Sequence, residues 1–146
     1  EGTFTSYGEI LKGNFLPGMS FLYRKKCLLY IGGYTENITI EDWDLYLRLL
    51  KYYKMYFINI TLCSYRLHGD NAIFTMRKQL TVDTLNILLR EEAYARSHGY
   101  LSEWIESYNK NLFHLIKQYN IHLFWLYYRN GASSLIHLVR TILHSI

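Results

Sequence analysis

Two adjacent carboxylates, Glu41 and Asp42, stand where the glycine loop Gly32-Gly33 gives way to the apolar run Trp43-Asp44-Leu45-Tyr46-Leu47-Arg48-Leu49. A carboxylate held at the edge of a cleft can take a proton from a hydroxyl, and a Gly-Gly turn beside it leaves room for a substrate. A second polar group follows, Tyr65-Arg66-Leu67-His68-Gly69-Asp70-Asn71. A neutral imidazole there could ligate a divalent metal, and the Arg66 guanidinium could meet a phosphate oxygen. An acid/base centre with a metal nearby is the chemistry these types and spacings allow.

Each feature also has a plainer reading. Thr39-Ile40-Glu41-Asp42 fits a helix capping box, and acidic residues in a first turn suit the helix dipole. On the residues alone the cap is favoured for Asp42. Asp44 lies two positions further, roughly 200° around a helix, so it does not share that face. It precedes Arg48 by one helical turn and is expected to pair with it. His68 reads equally as an exposed loop histidine, Arg66 as a brace for Asp70 or for chain carbonyls, and Gly32-Gly33 as a turn.

The elements that must carry these groups follow from periodicity. Met19, Phe21 and Tyr23 alternate with Ser20, Leu22 and Arg24, which predicts a strand. Residues 25–31 read as a short helix stopped by Gly32. Residues 40–53 predict a mostly buried helix, with Trp43, Tyr46, Leu47 and Leu50 on one face. Tyr56, Ile58, Ile60 and Leu62 alternate again and predict a strand over 55–62. Beyond residue 72 the texture turns helical: 78–96, stopped by His98-Gly99, then 102–119. Residues 121–128 fit either helix or strand, and the spacing over 133–146 predicts an amphipathic last helix.

The bulk composition narrows the class. The 146 residues suit one domain. Half are hydrophobic and 17% aromatic, which excludes a disordered chain. Cys27 and Cys63 lack metal or redox spacing and are expected to be free, buried thiols in a reducing compartment. The formal charge is +4, with the basic excess and five of the six histidines beyond residue 72. No apolar run reaches the roughly eighteen residues of a membrane span, and no leader pattern is seen. The chain opens at Glu1 without an initiator methionine, so a piece of a longer polypeptide is expected. No nucleic-acid-binding signature accompanies the scattered basic and aromatic residues.

Four segments in order resemble the C-terminal half of a bacterial family-2 glycosyltransferase with the GT-A fold: residues 13–25, 31–36, 41–49 and 65–71. The resemblance implies an α/β, Rossmann-like half-domain over 1–72, lacking its nucleotide-binding half, then a helical extension over 73–146. It makes Asp42 the general base of an inverting transfer to a hydroxyl acceptor in cell-surface polysaccharide synthesis. It makes His68 a ligand to Mg²⁺ or Mn²⁺, and it sets Gly32, Gly33, Glu41, Trp43 and Arg66 around donor and acceptor. The implied partners are a nucleotide-sugar donor and a glycan or lipid-linked acceptor, with no nucleic acid. The implied location is the cytoplasm. The last helix is expected to pack on its own domain; the sharper reading, favoured by the basic excess and the aromatics at 124–128, lays it on the inner face of a membrane as a peripheral contact. Thr35 departs from the pattern, which commonly has Asp there, and the Asp-x-Asp metal motif of the nucleotide-binding half is missing before residue 42. Tight binding of a nucleotide sugar by this polypeptide alone is therefore not expected. The competing reading, from another class, is a non-enzymatic helical interaction or membrane-surface module.

Overall fold

A computed structural model describes residues 4–61 and 63–119. Its elements run β1 (Phe4–Thr5), α1 (Tyr7–Leu11), a 3₁₀ turn (Gly18–Ser20), α2 (Lys25–Tyr30), α3 (Glu41–Leu50), β2 (Met55–Tyr56), α4 (Ala72–Thr75), α5 (Arg77–Ser97) and α6 (Leu101–Tyr119). The expected helices over 25–31, 40–53, 78–96 and 102–119 are present with ends shifted by up to three residues. Both segments expected beyond residue 120 lie outside the described residues.

The α/β expectation is corrected among the described residues. They are mainly helical, and their β-structure is one antiparallel ladder, Phe4 opposite Tyr56 and Thr5 opposite Met55. The alternation at 19–23 is real but makes no strand. Gly18–Ser20 turn as 3₁₀, and residues 21–24 are extended without a ladder. Phe21 and Tyr23 still share a side, their rings stacked at 5.6 Å, while Leu22 points out at 99% exposure. Period two says which side chains share a face, whereas a strand also needs a neighbour for its N–H and C=O groups. The same holds past Tyr56, where Phe57, Ile58 and Ile60 are exposed.

One hydrophobic cluster gathers the rest. Ile10 and Leu11 of α1, Trp43, Tyr46 and Leu47 of α3, Leu85 and Leu88 of α5, and Trp104 and Leu112 of α6 all belong to it. It draws on both sides of residue 72. The short α1 persists because Ser6 and Glu9 close a capping box at its start; such a cap satisfies amides that so short a helix leaves open. At its other end the Trp43 indole N–H donates to the Ile10 carbonyl at 2.7 Å. Helices α5 and α6 form an antiparallel hairpin turned at Gly99, whose φ of +81° favours glycine. The Trp104 indole N–H ties them, donating to the Leu88 carbonyl at 2.6 Å. Both cysteines are free, as expected, but not buried: Cys63 is exposed and Cys27 half-buried.

Candidate functional site

Helix α3 carries the candidate carboxylates at its first turn, with Glu41 exposed and Asp42 half-buried. The expected capping box does not form. The N-cap is Ile40, without a side-chain cap bond. Thr39 turns instead to α5, where its N–H and its hydroxyl both donate to Asp83 Oδ2, at 2.7 and 2.6 Å. Asp83 thereby supplies from a neighbouring helix an acceptor beside the α3 start.

Asp42 is consequently not consumed as a cap. Its Oδ1 accepts from the Asn14 amide at 3.0 Å and from the Trp43 N–H at 2.6 Å. Its Oδ2 takes no hydrogen bond or ion pair among the described residues. That oxygen faces Gly18, where a Cβ would stand 3.0 Å from it. A side chain at Gly18 would therefore crowd the carboxylate. Asn14 and Gly18 lie within a segment that the sequence marks as family-like, yet nothing local in the sequence links them to Asp42. Their contact is tertiary.

The glycine loop is tied to α3 through Arg48. Gly32 and Gly33 have φ of +83° and +74°, with open space where a Cβ would be. Two carbonyls of this loop are gripped by one side chain. Arg48 donates through Nη1 to the Ile31 carbonyl at 2.9 Å and through Nη2 to the Gly33 carbonyl at 2.7 Å. Its Nε meets Asp44 at 2.8 Å, so the expected Asp44–Arg48 pair forms. Asp44 is fully buried and also accepts from Thr35 and Arg90. The departure from the usual Asp at position 35 thus has a structural outcome: a hydroxyl there donates to a buried carboxylate.

Arg90 continues to Glu91, also fully buried, which accepts from the Tyr7 hydroxyl and the Lys51 ammonium, both at 2.6 Å. Burial alone would push both carboxyls up. Hydrogen bonds outweigh it, from Thr35, Arg90 and Arg48 on Asp44 and from Lys51 and Tyr7 on Glu91, and hold both below the usual carboxylate range. The Tyr7 hydroxyl is pushed far up by burial and by donation to Glu91. Only the Asp44–Arg48 spacing was visible in the sequence; Arg90, Glu91, Lys51 and Tyr7 come from distant positions.

Trp43 is fully buried in the core rather than at a surface. Arg66 and His68 lie in an exposed loop tied by Asn71. Asn71 Oδ1 accepts from the His68 N–H, and its Nδ2 donates to the Tyr65 hydroxyl at 3.1 Å and the Arg66 carbonyl at 3.3 Å. No hydrogen bond or ion pair joins His68 to Asp42, or Arg66 to Asp70, among the described residues. Nor do three His, Cys, Asp or Glu groups converge there to hold a metal ion. One imidazole does not make a metal site, so His68 would need ligands beyond the described residues. No described helix is long and apolar enough to cross a membrane.

Among the described residues the site is thus a carboxylate with one uncommitted oxygen at a helix start, and a braced glycine loop on the same helical scaffold. The family described as "Glycosyltransferase like family 2" matches residues 2–133. The chain belongs to that family, and membership implies a sugar donor and an acceptor as substrates generally. No curated protein and no solved structure matches the chain significantly.

Proposed function

We propose that Asp42 is the general base of an inverting sugar transfer from a nucleotide-sugar donor to a hydroxyl acceptor. The supporting observation is the Asp42 carboxylate: one oxygen is held by Asn14 and the Trp43 N–H, and the other takes no hydrogen bond or ion pair among the described residues. In the reaction the acceptor hydroxyl gives its proton to Oδ2. Its oxygen bonds to the anomeric carbon from the face opposite the leaving group, and the bond from that carbon to the nucleoside diphosphate breaks with its electron pair. Glu41, Gly32, Gly33 and Arg66 are placed around donor and acceptor in this reading. Trp43, being buried, serves by fixing the helix that bears Asp42. His68 remains the proposed protein ligand for a divalent metal, and the described donor set does not make up a complete site.

The proposed setting is cell-surface polysaccharide synthesis at the cytoplasmic side of a membrane, with a glycan or lipid-linked acceptor. Residues 1–72 are the proposed C-terminal half of a GT-A catalytic domain, and 73–146 a helical extension; α5 and α6 share the core with α1 and α3.

The test is Asp42→Asn in the full-length protein, assayed for release of nucleoside diphosphate with each of UDP-, GDP- and dTDP-sugars. Removing a general base costs about 10²- to 10⁴-fold in rate. A loss of that size with an unchanged circular dichroism spectrum supports the assignment. Activity within threefold of the parent protein would reject it.

A further inference from the structure

The glycine loop is not held by its own sequence alone. Arg48 spans two of its carbonyls with Nη1 and Nη2 while its Nε and Nη2 rest on Asp44. Asp44 has two oxygens, and the second is taken by Arg90 of α5. Arg90 is in turn fixed by Glu91, through Nε at 2.9 Å and Nη2 at 2.8 Å. A continuous chain of charge-assisted bonds therefore runs from α5 through α3 to the Ile31 and Gly33 carbonyls.

Guanidinium geometry gives this chain its direction. A planar fork meets two acceptors in fixed positions, and an ammonium does not. Asp44, with no exposure of its own, has its oxygens fixed by Arg48, Arg90 and Thr35. Turning Arg90 away would take the guanidinium partner from the second oxygen, so the carboxylate and the Arg48 fork must readjust together. Gly32 and Gly33 lack side chains that could hold the loop independently, and their Cβ directions face open space.

We propose that Arg90 and Arg48 are positioning residues: through Asp44 they let helix α5 set the conformation of the Gly32-Gly33 loop. The structural part stands alone. Its consequence for sugar transfer rests on the reading of that loop as part of the donor and acceptor site.

The test compares Arg48→Lys, Arg90→Lys and the double variant with the parent chain by hydrogen–deuterium exchange resolved to single amides. Both substitutions keep the charge and remove the fork. The Gly32 and Gly33 amides, which donate to the Leu29 and Leu28 carbonyls, are expected to exchange at least tenfold faster in each single variant. Amides in the middle of α6 should stay within twofold. Because Arg90 acts through Arg48, the double variant should exchange at the loop no faster than Arg48→Lys alone. Loop exchange unchanged in Arg90→Lys, or raised by the same factor with and without Arg48, would overturn the proposal. Should Arg48→Lys fail to fold, Arg90→Lys decides alone: loop-specific acceleration supports the relay, and its absence overturns it. The readout needs no turnover, so failure here is distinct from failure of the base assignment. In a protein shown active by the Asp42 test, both lysine variants should change KM more than kcat, which a purely stabilising role would not do.

Discussion

At the scale of single residues, Gly18 tests Asp42 without touching its chemistry. Its backbone does not need a positive φ, so alanine is conformationally allowed there. The added methyl would still stand 3.0 Å from Asp42 Oδ2 and 3.4 Å from its Cβ. The carboxylate has to give by a few tenths of an ångström, and a misplaced catalytic group loses rate steeply. Gly18→Ala is expected to lower transfer about tenfold with little change in melting temperature. Unchanged transfer would show that the position of Oδ2 is not critical. The sequence shows the Glu-Asp pair at a helix start but not which of two jobs Asp42 has. The structure removes the local capping box, because Asp83 occupies Thr39, the residue that box would have used; the base role is what the transfer assay tests.

At the scale of elements, α5 does more for the site than its polar and apolar mixture suggests. Asp83, Arg90 and Glu91 lie seven and eight positions apart, on one face of the helix. They meet Thr39, Asp44 and Lys51, which span α3 from its entry to just past its last turn. Leu85 and Leu88 of the same helix belong to the core. Asp83→Ala would leave the Thr39 N–H and hydroxyl without their acceptor in a largely buried place. The expected cost is about 2 kcal/mol, read as a lower midpoint in guanidinium unfolding, with faster exchange at the first amides of α3. A midpoint shift with no change at those amides would mean that Asp83 stabilises α5 alone. The helical boundaries were legible because amphipathic spacing and the His98-Gly99 stop are local signals. The missing strands at 19–23 and 57–61 were not, because pairing depends on a neighbour that alternation does not specify.

At the scale of the whole molecule, the buried pair Asp44 and Glu91 makes stability depend on pH. Their ordinary values are 3.8 and 4.5, and both are lowered in the folded chain. The unfolded chain therefore binds protons at these groups before the folded one does. Their contribution is whole above about pH 5 and is lost as pH falls through the ordinary values toward the folded ones. A melting temperature flat from pH 7 to about 5 and falling below it is expected. Glu91→Gln should start lower at pH 7, because Lys51 and Arg90 lose a buried counter-charge, and should fall less steeply in acid. Parallel acid limbs in the two proteins would remove Glu91 as a source of the effect.

From the amino-acid order alone came the helices, the turn glycines, the Asp44–Arg48 pair and the four family-like segments, since all are local patterns of spacing and side-chain type. Tertiary structure decided that Asp42 keeps an oxygen without a partner among the described residues, that Trp43 is core, and that Arg90 and Glu91 reach the α3 scaffold. Those outcomes depend on which helix face meets which, and on desolvating charges whose partners stand some forty positions away in the chain. Short-range periodicity carries no record of either.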